Sequence, residues 1–207
     1  MKKIMLLFAA FMFLFPLNGA NVIGKVLLVE GSAEAGGRTL ARGTSILANE
    51  IIKVAPASKL QIRFTDGGLL NLIEKTEYNV SLYAYNPGGA NSYSAELLKG
   101  GFKALSGSIA KEAPENYHVK TPVATIGIRG TTLLANIVEG TTYFGCDEGQ
   151  ISITNAAGER TLGIGQYLFS SSEGELGDVT SMRPDELTED YFDPIEEIGS
   201  EPSEEST

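Results

Sequence analysis

Apolar and polar residues alternate with a period of two along much of the chain. Leu60, Ile62 and Phe64 interleave with Lys59, Gln61, Arg63 and Thr65, the signature of a strand with one buried face. Asp66-Gly67 and then an apolar run to Ile73 follow, so a hairpin is predicted over 59–73. The same period sets Tyr78, Val80 and Leu82 against Asn79, Ser81 and Tyr83, up to a loop at Asn86-Pro87-Gly88-Gly89. Ala124, Ile126 and Ile128 oppose Thr125, Gly127 and Arg129, and Ile151 and Ile153 oppose Gln150, Ser152 and Thr154. No long stretch has the apolar spacing of an amphipathic helix. Short helical candidates are confined to 97–105 and 184–191. Many short strands with glycine-rich turns predict an all-β sandwich, barrel or solenoid.

A repeat narrows that choice. Glu30-Gly31 is followed by Arg38-Thr39-Leu40-Ala41-Arg42-Gly43, and Glu148-Gly149 by Arg160-Thr161-Leu162-Gly163-Ile164-Gly165. A third, looser copy is expected to begin at Ser106-Gly107-Ser108-Ile109. Units of this size cannot bury an apolar face alone and must stack or wrap on one another. They predict a β-roll or solenoid-like sandwich of stacked hairpins.

The 207 residues suit one domain with an appendage. A single cysteine and a single histidine exclude an internal disulfide, a cysteine-rich zinc site and a multi-histidine metal centre, and no cofactor is expected. The formal net charge of -10 argues against nucleic acid as a partner. That charge is unevenly spread. Residues 21–172 carry 13 basic and 13 acidic side chains, whereas 173–207 carry 13 acids and only Arg183. The latter segment has the composition of an acidic, flexible and largely disordered tail. Residues 1–20 begin with Lys2 and Lys3, continue as an apolar run from Ile4 to Leu17, and close on Gly19-Ala20. A helix of that run reaches about 21 Å, short of a bilayer core of about 30 Å, so a signal peptide is expected rather than an anchor. The predicted organisation is a signal peptide at 1–20, an all-β domain at 21–172 and a tail at 173–207. The mature chain is expected to be exported, periplasmic or secreted, with no transmembrane segment after cleavage.

Residues 106–131 add a resemblance. Ser106-Gly107-Ser108-Ile109 leads through Tyr117-His118-Val119-Lys120 into Thr121-Pro122-Val123-Ala124-Thr125-Ile126-Gly127-Ile128-Arg129-Gly130-Thr131. A later hairpin, Glu148-Gly149-Gln150-Ile151-Ser152-Ile153, and Leu162-Gly163-Ile164-Gly165-Gln166 complete the pattern. This resembles the FecR domain over roughly residues 24–170. The resemblance implies a compact all-β module on the non-cytoplasmic side of the bacterial envelope. The family's named regulator relays a signal from an outer-membrane receptor to a sigma factor, and it has a cytoplasmic segment and a membrane span before its external domain. A signal peptide in their place transfers the external module and not the sigma-factor control. Thr121, Pro122, Ala124, Gly127, Arg129, Gly130 and Thr131 are the motif positions, structural or in contact with a partner.

Gly127 and Gly130 lack the spacing of a phosphate loop, so close packing at Gly127 and a turn or bulge at Gly130 are expected. Thr121-Pro122 is expected to be extended. Arg129 is expected to clip neighbouring strands by pairing with Glu115 or Asp147, with a partner contact as the alternative. His118 should be an exposed strand residue, since no nucleophile or orienting acid accompanies it. Cys146 should be a small buried hydrophobe beside Phe144. Tyr83, Tyr85 and Tyr93 surround the 86–89 loop, where either core packing or contact with sugar or protein is open. The expected function is a non-enzymatic, exported protein-interaction or scaffold module of the cell envelope, in envelope signalling. A glycan or small-molecule binding module using the tyrosine loop is the alternative.

Overall fold

The computed structural model describes residues 21–187; the predicted signal peptide and residues 188–207 lie outside them. The strands are β1 (Val22–Glu30), β2 (Ala33–Ala35), β3 (Arg38–Thr39), β4 (Ser45–Leu47), β5 (Ile51–Val54), β6 (Lys59–Phe64) and β7 (Leu69–Leu72). They continue as β8 (Glu77–Ala84), β9 (Ser92–Leu105), β10 (Tyr117–Lys120), β11 (Thr125–Val138), β12 (Thr141–Asn155), β13 (Gly158–Leu162) and β14 (Gln166–Ser170). A short helix, α1 (Ser108–Glu112), and a 3-10 turn at Pro114–Asn116 separate β9 from β10.

All fourteen strands belong to one hydrogen-bonded sheet. It doubles over because its three long strands change partners midway. The first half of β9 pairs with β8 and β10, and the second half with β7 and β11. β11 passes from β10 to β9, and β12 from β14 to β13. The first layer therefore runs β3-β2-β5-β8-β9-β10-β11-β12-β13, and the second runs β4-β1-β6-β7-β9-β11-β12-β14. One continuous core fills the space between, with Tyr78, Tyr93, Phe102 and Phe144 among its largest members. The all-β sandwich predicted from alternation is present.

Glycines make the corners. Gly100, Gly130 and Gly149 have φ of +68°, +57° and +72° where β9, β11 and β12 cross between layers. A Cβ on Gly100 would lie 2.7 Å from Thr76 Cα, and one on Gly149 would fall on the Gly130 carbonyl oxygen. Only glycine combines that backbone with that proximity. The same corner explains why 97–105 is strand and not helix: Gly100-Gly101 interrupts the alternation of β9, leaving Leu97, Phe102 and Ala104 inward.

The repeat has a structural counterpart. Glu30-Gly31 and Glu148-Gly149 both stand where the chain leaves the second layer for the first. Each leads into an edge hairpin of the first layer, β2–β3 or β12–β13. Leu40 and Leu162 are both buried, and each chain then returns to an edge of the second layer as β4 or β14. The Gly43 N–H donates to the Val26 carbonyl at 2.8 Å, as the Gly165 N–H does to that of Cys146 at 2.7 Å. The expected third copy does not form. Ser106-Gly107 turns into α1, because the buried Asp66 carboxylate accepts the Ile109 N–H at 3.2 Å and stands where a Gly107 side chain would be.

The folded region also extends past residue 172. Residues 173–187 double back along β14 through bridges at Ser170–Leu176 and Tyr167–Thr180. Leu187 is fully buried against Ile73, Leu134 and Tyr167. Of the helix expected at 184–191, a 3-10 turn at Asp185–Leu187 is present, and the rest lies outside the described residues. This segment is a strap on the second layer, anchored by its few apolar residues despite its acidic composition.

Candidate interaction face around Arg129

The motif at 121–131 builds the β10–β11 hairpin. Thr121 to Ala124 form its turn: the Thr121 N–H donates to the Ala124 carbonyl at 2.8 Å, and Thr121 Oγ1 accepts the Ala124 N–H at 3.1 Å. Thr121 thus opens the turn as a hydroxyl-capped position, and Pro122 takes the next place, where its fixed φ is favourable. Ala124, Ile126 and Ile128 face the core. Past the Gly130 corner, the buried Thr131 donates its N–H to Ser106 Oγ at 2.8 Å, tying the two halves of the sequence pattern together.

The opposite face of this hairpin points outward. His118 pairs with Gly127, Gly127 with Ser152, and Ser152 with Thr161, so one polar row crosses four strands. Arg129 lies one step along, opposite Gln150. Gly127 keeps the floor low, since a Cβ there would stand 2.8 Å from Ser152 Oγ. Pro114 and Glu115 form one wall and Glu159 of β13 the other, enclosing an open depression of about 400 Å³. Beneath it the buried Ile126, Ile128, Ile151 and Ile153 hold the floor rigid.

The expected clip at Arg129 does not form. Arg129 is exposed and makes no ion pair or hydrogen bond among the described residues. Asp147 lies before the Gly149 corner, in the second layer, where it accepts from Lys103 Nζ at 3.0 Å and Arg183 Nη2 at 2.8 Å. Glu115 borders the same depression as Arg129 without bonding to it. Sequence spacing could not tell which side of the corner each carboxylate would occupy.

The tyrosines resolve toward packing. A bulge between Val80 and Leu82 reverses the expected alternation, so Leu82 is 51% exposed and Tyr83 only 7%. The Asp66 N–H donates to the Tyr83 hydroxyl at 2.9 Å. Tyr93 stacks on Tyr117 at 4.3 Å, and its hydroxyl lies 3.0 Å from that of Tyr78. Burial pushes the phenols of Tyr78, Tyr83, Tyr93 and Tyr117 above their ordinary range. Of the candidate binding loop only Tyr85 is partly exposed, so no aromatic platform faces solvent there.

The face around Arg129 can donate and accept hydrogen bonds, and its guanidinium has no ion pair among the described residues. His118 and Ser152 stand two strands apart, about 10 Å, too far for a nucleophile and its base. Burial pushes the Cys146 thiol up to about 11, which keeps it protonated and inert. No group of three His, Cys, Asp or Glu side chains that could hold a metal occurs among the described residues. Gln150, Ser152, Thr161 and Glu159 complete the face. Their only sequence signal was their place on the polar side of alternating strands.

Residues 50–152 match the family model described as FecR protein, and the chain is a FecR-domain protein. Two crystal structures of a candidate anti-sigma factor from Parabacteroides distasonis share the fold. They match at 12% and 13% identity with a TM-score of 0.50 each, covering 63% of this chain. The chain spans 57% of the length of those structures. No curated protein matches. Among the described residues no helix is long and apolar enough to cross a membrane.

Proposed function

We propose that the chain is an exported, non-enzymatic module of the bacterial cell envelope that binds a protein partner in signalling, through the outer face of the first layer around Arg129. The family match and the fold shared with candidate anti-sigma factors support a signalling role. One observation carries the choice of face: Arg129, within the family motif, is exposed and has no ion pair among the described residues, although two carboxylates border its depression. A free guanidinium on a rigid floor is pre-organised to bind a carboxylate of a partner. Residues 1–20 serve as the export signal in this proposal, and the domain begins at residue 21.

Replacement of Arg129 by Ala tests it. The expected result is a stability within about 0.5 kcal/mol of wild type, as for an exposed side chain without contacts, together with loss of the protein cross-linked from envelope extracts through a photoreactive group at position 150. A lower melting temperature with capture unchanged would assign Arg129 to the fold instead. Export is checked by fractionation and by sequencing the mature N-terminus, which should begin near Asn21.

A further inference from the structure

The repeat that relates the β2–β3 hairpin to β12–β13 extends to the neighbouring strands. On each side two adjacent segments cross between the layers together. Gly149 on β12 crosses beside Gly130 on β11, and Gly31 after β1 crosses beside Ala57 between β5 and β6, with φ of +75° and +51° at Gly31 and Ala57. A Cβ on Gly31 would crowd Ser58 and Ala57, as one on Gly149 would crowd Gly130 and Thr131. In the first layer β5 therefore stands to β2 as β11 stands to β12: Glu34 pairs with Lys53 where Ser152 pairs with Gly127. Thr39 takes the place of Thr161. The depression around Arg129 has a counterpart at that position. It lies on the same outer face at the other end of the layer, encloses about 440 Å³, and is lined by Glu34, Thr39, Lys53, Lys75, Glu77 and Lys99.

The charges of the second depression differ from those of the first. Lys99 Nζ is committed to Glu77 Oε1 at 3.0 Å, while Lys53 is exposed and has no ion pair among the described residues. Lys75 stands at the rim with φ of +57°, its ammonium 3.8 Å from Glu74. Gly100 makes the adjacent corner on β9. A lysine thus holds a left-handed turn that glycine would make more easily, and it brings a further ammonium to the rim. We propose that this depression is a second carboxylate-binding site, so that the protein partner is held at two points by two acidic segments, one at Arg129 and one at Lys53 and Lys75. The inference rests on the reading of the Arg129 face given above. Three lysines against two glutamates give the lining a net positive charge, which favours an acidic segment over a basic one. Glu34 and Thr39 add acceptors for the backbone N–H groups of an extended segment. From β5 across β8, β9 and β10 to β11 is four strand spacings, about 19 Å. Two weak contacts at that separation, made by one partner, bind far more tightly than either alone.

Nuclear magnetic resonance of the isotopically labelled mature chain at low salt tests the assignment, with the peptide acetyl-Gly-Glu-Gly-Glu-Gly-amide as probe. The peptide should shift the backbone amides of Glu34 and Thr39 as well as those of Gln150 and Thr161. Two copies joined by a Gly-Ser linker of about twelve residues, with a root-mean-square span of about 19 Å, should bind at least about tenfold more tightly than one. Arg129→Ala, or Lys53→Gln combined with Lys75→Gly, should each abolish that gain and leave circular dichroism unchanged. Shifts confined to Gln150 and Thr161, or a gain that survives Lys53→Gln with Lys75→Gly, would overturn the second site and leave the Arg129 face standing. Shifts confined to Glu34 and Thr39 would overturn the Arg129 face and two-point binding with it. Equal shifts from the same peptide with glutamine in place of glutamate would overturn carboxylate recognition at both sites.

Discussion

At the scale of single residues, burial fixes the protonation behaviour. Cys146 is fully buried and its Sγ–H donates to the Glu148 carbonyl at 3.2 Å. Burial raises its thiol from 9.0 to about 11, so above about pH 9 the unfolded chain gives up a proton that the folded chain keeps. The stability this group contributes is whole below about pH 9 and is lost as pH rises toward about 11. The buried phenols of Tyr78, Tyr93 and Tyr117 act in the same direction above about pH 10. The urea midpoint of the wild type should therefore drop between about pH 8 and about pH 10.5, and less steeply for Cys146→Ala. Cys146 and the inward isoleucines were legible from alternation. Arg129 was not, because its freedom depends on Asp147 having been claimed from the second layer by Lys103 and Arg183.

Among the elements, the long strands show what a glycine corner is worth. Gly130 and Gly149 face each other across β11 and β12 with similar positive φ but different surroundings. No atom lies within 4 Å of where a Gly130 Cβ would stand, whereas that of Gly149 would collide with the Gly130 carbonyl and Thr131. Gly130→Ala should cost about 1–2 kcal/mol, the ordinary penalty of a left-handed alanine. Gly149→Ala should cost more than about 3 kcal/mol, because a backbone oxygen cannot move aside. Chemical denaturation of the two variants checks the difference. Alternation made the short strands visible, and the Asp66-Gly67 turn with them. It failed at β9 and β8, where a corner and a bulge each shift the period by one residue and reverse the faces beyond.

For the molecule as a whole, the strap joins what sequence order separates. Arg183 donates to Asp147 at 2.8 Å, to the Tyr167 hydroxyl at 2.9 Å and to the Leu187 carbonyl at 3.2 Å. Arg183→Ala should remove about 1–3 kcal/mol, the worth of partly buried charge-assisted bonds. The loss should appear first as faster amide exchange over 176–187, while β11 and β12 keep their protection. Equal loss throughout the sheet would mean that strap and sandwich open as one unit.

The amino-acid pattern by itself determined that this chain is all-β, that its two Glu-Gly units are equivalent, and that residues 106–131 carry a FecR motif, because period, turn chemistry and motif are local properties. Tertiary structure alone decided that the sheet folds over at three glycines, that Tyr83 and Tyr93 turn inward, that the strap extends the fold to Leu187, and that Arg129 has no ion pair among the described residues. Each of those outcomes depends on which strands lie side by side, and that is set by packing between residues far apart in the chain.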